Sequence, residues 1–139
     1  MSADAPTDHA GLVVMGVAEA DALLASQSVG RIAFVADGEV VILPINYRMH
    51  EGTIVFRTSE GAKLEAGARH ASVAFEIDGW DVESQTGWSV LVKGTAVEVL
   101  TDDEANALFD LGLRPWAAAT EKRRWVRVRP DEITGRKIV

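Results

Sequence analysis

Arg31-Ile32-Ala33-Phe34-Val35-Ala36-Asp37-Gly38-Glu39-Val40-Val41-Ile42-Leu43-Pro44-Ile45-Asn46-Tyr47-Arg48 is the stretch that decides the fold. Two apolar, β-branched runs flank Asp37-Gly38, a dipeptide that accepts the positive backbone angles of a tight hairpin turn. Arg31 to Ala36 is therefore a strand, and Val40 to Arg48 is its antiparallel return. Pro44 interrupts the return. Proline has no N–H to give to a ladder, so this strand lies at a sheet edge, a bulge or an exposed end.

Working outward, strand signals continue. Glu51-Gly52 turns the chain into Thr53–Thr58. Over residues 72–78, Val73, Phe75 and Ile77 face one way and Ala74, Glu76 and Asp78 the other, the period of a strand. Residues 79–87 are polar and glycine-rich and are expected to form a loop. Trp88 to Leu100 predicts a long strand, with Gly94 marking a bulge or a barrel bend. Arg124 to Arg129 predicts a last strand, with Val126 and Val128 inward and Trp125, Arg127 and Arg129 outward.

Helical patterns are few. Val17 to Gln27 carries an apolar stripe of Val17, Ala20, Leu23, Leu24 and Ala25, and Ser28-Val29-Gly30 ends it with Gly30 as a turn residue. Thr101-Asp102-Asp103-Glu104 is a capping box for a helix of about ten residues with Leu108 and Phe109 as core contacts. Pro115 breaks the chain's path after that helix. Short strands, tight turns and few helices predict a mainly β, antiparallel barrel.

Composition narrows the function. A chain of 139 residues makes one domain with a core of its own. It divides into a loose leader, 1–14, and a barrel domain, 15–139. Without cysteine there is no disulfide, thiolate metal site or cysteine nucleophile. No apolar run approaches the roughly 20 residues that span a membrane. The first ten residues are polar and acidic, unlike a signal peptide, so a cytoplasmic protein is expected. The net charge of −7 argues against a nucleic-acid partner. Seven of the 14 basic residues nevertheless fall within residues 121–139. They fit a small anionic ligand, or equally a charged edge strand.

The chemistry concentrates at Phe56-Arg57-Thr58-Ser59-Glu60-Gly61-Ala62-Lys63-Leu64. A strand ends in an arginine and two hydroxyls, and a short helical pattern with a lysine comes next, over about Gly61 to Ala66. Free N–H groups and the positive dipole end of a helix make a phosphate site. The plainer reading is that Thr58 or Ser59 is only an N-cap. Neither the P-loop pattern nor the dinucleotide glycine fingerprint is present. His9, His50 and His70 have no metal-ligand spacing and are expected on the surface. Glu76 and Asp78 share a strand face, as an acid/base pair or merely as its solvent side. No serine sits in a nucleophile elbow. Trp116 and Trp125 are expected in core or interface packing, while Trp80 and Trp88 fit either packing or the wall of a flat ring.

The order of the pieces carries a resemblance. Val29-Gly30-Arg31-Ile32-Ala33-Phe34, Leu43-Pro44-Ile45-Asn46-Tyr47, Ile54-Val55-Phe56-Arg57-Thr58 and Gly61-Ala62-Lys63-Leu64 come first. Val73-Ala74-Phe75-Glu76-Ile77-Asp78, Gly87-Trp88-Ser89-Val90-Leu91-Val92-Lys93-Gly94 and Ile133-Thr134-Gly135-Arg136-Lys137-Ile138 come after them. Over residues 15–139 the chain resembles the pyridoxamine 5'-phosphate oxidase-like family of flavin-binding split barrels, in particular its short actinobacterial members. The resemblance implies a split β-barrel, a homodimer, and FMN held at the dimer interface. On the family pattern Pro44, Ile45 and Asn46 border the isoalloxazine ring through main-chain contacts. Arg57, Thr58, Ser59, Lys63 and Leu64 hold the ribityl phosphate. Trp88, Ser89 and Val90 come near the ring, from the same or the other subunit. The implied activity is a flavin-dependent oxidoreductase acting on a small molecule, with no catalytic side chain named because the flavin does the redox chemistry. The chain ends without the basic substrate-binding pattern of true pyridoxamine phosphate oxidases, so the substrate stays open. The alternatives are a deazaflavin-dependent reductase on the same barrel, with Arg69 or the C-terminal arginines holding a longer anionic tail, and a non-catalytic flavin-binding or storage protein.

Overall fold

The computed structural model describes residues 6–58, 71–114, 116 and 124–139. The elements in chain order are β1 (Val13–Met15), α1 (Val17–Ser26), β2 (Val29–Ala36), β3 (Glu39–Asn46), β4 (Arg48–His50), β5 (Thr53–Thr58), β6 (Ala71–Asp81), β7 (Thr86–Glu98), α2 (Asp102–Phe109) and β8 (Arg124–Ile138). The strands form one antiparallel sheet in the order β3-β2-β6-β7-β8-β5-β4, and β1 joins it against β8. The fold is mainly β, and the sheet curls into a half-barrel. Ile32 of β2, Phe75 of β6, Val92 of β7, Val126 of β8 and Phe56 of β5 share one core although their strands spread across the whole sheet.

Alternation builds that core. Val73, Phe75 and Ile77 are buried, as their spacing predicts, and Val126 and Val128 are buried on β8. Asp37 and Gly38 hold φ values of 52° and 76°, the tight turn that joins β2 to β3. β3 lies at the end of the sheet, so Pro44 removes no ladder bond from a central strand. α1 closes one mouth with Ala20 and Leu24, and the buried Tyr47 hydroxyl donates to the Leu24 carbonyl at 2.6 Å. Burial pushes the Tyr47 hydroxyl up to about 12.

Several sequence expectations are corrected. Gly30 is not a turn residue: it lies inside β2, where a Cβ would collide with the Phe75 ring. Residues 79–87 are not a loop. β6 runs to Asp81 and β7 starts at Thr86, pairing Gly79 with Trp88 and Asp81 with Thr86. The Asp81 carboxylate accepts from the Glu83 and Ser84 N–H groups at 2.9 and 3.3 Å and makes the short turn. The last strand runs to Ile138, because β8 pairs with β5 over its first third and with β7 along most of its length. Its register against β7 shifts at Gly94, the expected bulge. Trp125 faces away from the main core, yet it is buried: α2 covers it in a second core with Val55, Leu108 and Leu113. Trp116 is exposed. The N-terminal segment is tied to the sheet by β1 and by Asp8, which accepts from the Ala10 and Leu12 N–H groups and pairs with Arg136. No helix among the described residues is long and apolar enough to cross a membrane.

Candidate functional site

β5 sends its last residues to opposite faces. Phe56 and Thr58 point into the core side, where Thr58 is buried opposite Arg124, while Val55 and Arg57 face α2. Arg57 stands in register with Trp125 of β8. Its guanidinium carbon lies 4.8 Å from the centre of the Phe109 ring and 5.7 Å from that of Trp125. Nη1 donates to the Leu113 carbonyl at 3.4 Å, and Nε is buried with no partner among the described residues. Ser59, Lys63 and Leu64, the rest of the expected phosphate group, lie outside the described residues, as do the helical pattern near Gly61, Arg69 and His70.

α2 owes its place to its own signals. The Thr101 hydroxyl accepts from the Glu104 N–H at 3.3 Å, the expected cap, and three acidic residues fill the first turn. The turn after α2 reaches Asn46. The Trp116 N–H donates to Asn46 Oδ1 at 2.8 Å. Pro44, Ile45 and Asn46 sit at the end of edge strand β3, opposite Arg31, Gly30 and Val29. Leu113 and Trp116, three positions apart, thus touch Arg57 and Asn46 respectively.

Trp88, Ser89 and Val90 lie elsewhere in the chain. Val90 is buried in the main core. Ser89 faces the opposite side, across from Asp78 and Arg136. The Trp88 indole lies over Gly79, where a Cβ would stand 2.8 Å from Nε1. Two adjoining cavities of about 460 and 550 Å³ open here, both lined by Trp80, Trp88 and Lys137. Trp88 and Glu98 are the third and last residues of β7, ten positions apart. That is about 33 Å of extended strand. Glu98 and Phe56, the neighbour of Arg57, both pair with Val126 from either side of β8. Trp88 and the row that holds Arg57 therefore lie toward opposite ends of the β7–β8 ladder.

Beside Ser89 and Leu91 lies a charged row that the sequence signalled only as an i, i+2 carboxylate pair. Arg31, opposite Pro44, pairs with Glu76 and Asp78 at 3.4 Å each. Partial burial, and then the neighbouring Asp78 carboxyl, push the Glu76 carboxyl up to about 7, with Arg31 opposing. Glu76 therefore takes up a proton near neutrality, and it lies one strand from the Pro44 edge of β3.

The family model of pyridoxamine 5'-phosphate oxidase matches residues 16–137. The chain belongs to the pyridoxamine 5'-phosphate oxidase family. Among its relatives, an uncharacterized Mycobacterium tuberculosis protein is 36% identical over 126 residues, covering 87% of this chain and 82% of its own. The FAD binding protein of Mycobacterium smegmatis is similar in structure, with a TM-score of 0.70 and 34% identity over 92% of this chain and 99% of that one. A conserved protein of unknown function from Corynebacterium diphtheriae has a TM-score of 0.77 at 29% identity, covering 92% of this chain and 98% of that one. The Arg57 guanidinium keeps a buried Nε donor with no partner among the described residues, the type of group that an anionic oxygen can satisfy.

Proposed function

We propose that the chain is an FMN-binding, flavin-dependent oxidoreductase that works as a homodimer on a small-molecule substrate. The observation that carries this reading is the segment after α2. It holds Arg57 through the Leu113 carbonyl and Asn46 through the Trp116 N–H. The cation assigned to the phosphate and the edge assigned to the ring are therefore contacted by two residues only three positions apart, which supports their reading as one site. The FAD binding protein of M. smegmatis supports a flavin there. Arg57 would hold the phosphate with Thr58, completed by Ser59, Lys63 and Leu64 of the same motif. Pro44, Ile45 and Asn46 would border the ring. A bound flavin supplies hydride transfer, and the protein's part is to bind, orient and tune it.

A second copy is part of the proposal. Val35, Val40 and Ile42 are 60%, 78% and 64% exposed on one face of the β2–β3 edge. Such a patch is the composition of an interface. Trp88 is too far along β7 to meet Arg57 of its own chain by strand path, so a second copy would bring its own Trp88, Ser89 and Val90 toward the ring. Arg136 and Lys137 pair with Asp8 and Glu19, so pyridoxamine 5'-phosphate itself is not the proposed substrate. A deazaflavin is the second reading. It is favoured by Arg127, one diagonal step from Arg57 on β8 and likewise with a buried, unpartnered Nε, which could meet a longer anionic tail.

Titration of the purified protein with FMN, riboflavin and a deazaflavin, followed by absorbance and fluorescence, tests the assignment. FMN should bind roughly tenfold or more tightly than riboflavin, since hydrogen bonds to a charged group contribute about 1.5–3 kcal/mol. Equal affinities would remove the phosphate site. A monomer in sedimentation at micromolar concentration with flavin bound would remove the dimer.

A further inference from the structure

We infer that Phe109 and Trp125 form an aromatic clamp that fixes the direction of the Arg57 guanidinium, which makes Phe109 a positioning residue for recognition of a phosphate monoester. This role rests on Arg57 being a phosphate contact. The clamp prepares that contact before ligand arrives.

The geometry is built from three elements. Register on the sheet puts Arg57 of β5 opposite Trp125 of β8. α2, laid over this face, brings Phe109 edge-on to Trp125, with ring centres 5.4 Å apart and an interplanar angle of 83°. The guanidinium carbon then lies within cation–π reach of both rings, at 4.8 and 5.7 Å. With the rings 83° apart a planar guanidinium can lie face-on to only one of them, and such a contact leaves its in-plane N–H groups free to donate. One of them donates to the Leu113 carbonyl, which fixes the in-plane rotation as the rings fix the tilt. Nε, still without a partner among the described residues, is held in that same plane.

Packing alone does not account for Phe109. Its neighbour Leu108 is fully buried in the second core, whereas Phe109 is 42% exposed. The ring is placed for the cation and for the edge of Trp125 more than for burial. A free arginine side chain loses rotamer freedom when it closes on a ligand, and one already held loses less, so the clamp raises affinity through preorganisation.

The experiment compares FMN with riboflavin, which lacks the phosphate, on wild type, Phe109→Leu, Phe109→Trp, Arg57→Gln and the Arg57→Gln/Phe109→Leu double variant. Phe109→Leu should weaken FMN roughly three- to thirtyfold and leave riboflavin unchanged. Phe109→Trp should restore FMN binding. In the Arg57→Gln background the Phe109→Leu change should have no further effect on FMN. An equal loss for both ligands, or a loss that persists without Arg57, would show a merely structural role and overturn the clamp. Wild type that does not prefer FMN over riboflavin removes the phosphate reading and the clamp with it. Wild type that prefers FMN, with Phe109→Leu preferring it equally, removes the clamp alone. Far-ultraviolet circular dichroism of each variant confirms that the helix is intact.

Discussion

The two ends of the β7–β8 ladder use tryptophan in opposite ways. At the Glu98 end, α2 covers Trp125 to 1% exposure, and the ring holds a cation. At the Trp88 end the ring is only partly buried over Gly79, and two cavities open beside it. The same side chain thus serves as a buried platform at one end and as the wall of a mouth at the other. What differs is the cover: α2 packs directly on the first ring, whereas residues of β1, α1, β8 and the β6–β7 turn stand off the second as cavity walls.

The sharpest way to break this contrast is at the buried end. Trp125→Ala should cost about 3–5 kcal/mol of stability, as large-to-small core changes do, and should release α2 from the sheet. Urea unfolding gives the value. A loss under about 1 kcal/mol would mean that the second core is not a stabilising unit.

At the open end a smaller effect is expected. Gly79→Ala puts a methyl group 2.8–3.0 Å from the Trp88 indole. The ring must move, at a cost of about 1–3 kcal/mol. Tryptophan emission should shift to longer wavelength as the indole turns toward solvent. If emission and stability both stay as in wild type, the glycine is not what seats the ring.

The smallest effect probes the charged row beside Ser89 and Leu91. Glu76 is raised above its ordinary value of 4.5 to about 7 in the folded protein. The folded state therefore binds the proton more tightly than the unfolded state. Its stabilising contribution is full below about pH 4.5 and is lost as pH rises through about 7. Glu76→Gln should match wild type at pH 4 and exceed it at pH 8. The gain should be roughly 1 kcal/mol, since solvent screens a carboxyl that is a third exposed. Thermal unfolding at both pH values decides it, and a gain of the same size at pH 4 would dismiss the titration.

Legibility followed the range of each signal. The Asp37-Gly38 hairpin, the alternation over residues 72–78, the bulge at Gly94 and the Thr101 cap are local, and each is present in the structure. Residues 79–87 misled because polar, glycine-rich composition marks both loops and strands that leave room for a large ring. Gly30 misled for the same reason: its lack of a side chain serves Phe75, a residue 45 positions away. Arg57 was legible as a cation at a strand end. Its partners Phe109, Leu113 and Trp125 were not, because nothing in the spacing links them to residue 57.

By itself the sequence determined what depends on neighbours in the chain: a mainly β fold, the turns, the proline at an edge, the cap of α2 and the order of motifs that marks the family. The tertiary structure alone decided which face of β8 α2 covers, that Arg57 lies against two rings, that Leu113 and Trp116 contact Arg57 and Asn46, and that Trp88 stands at the far end of β7 from Arg57. These are outcomes of strand register and helix docking. Both are set by the sum of many weak, non-local contacts, and no single stretch of residues encodes that sum.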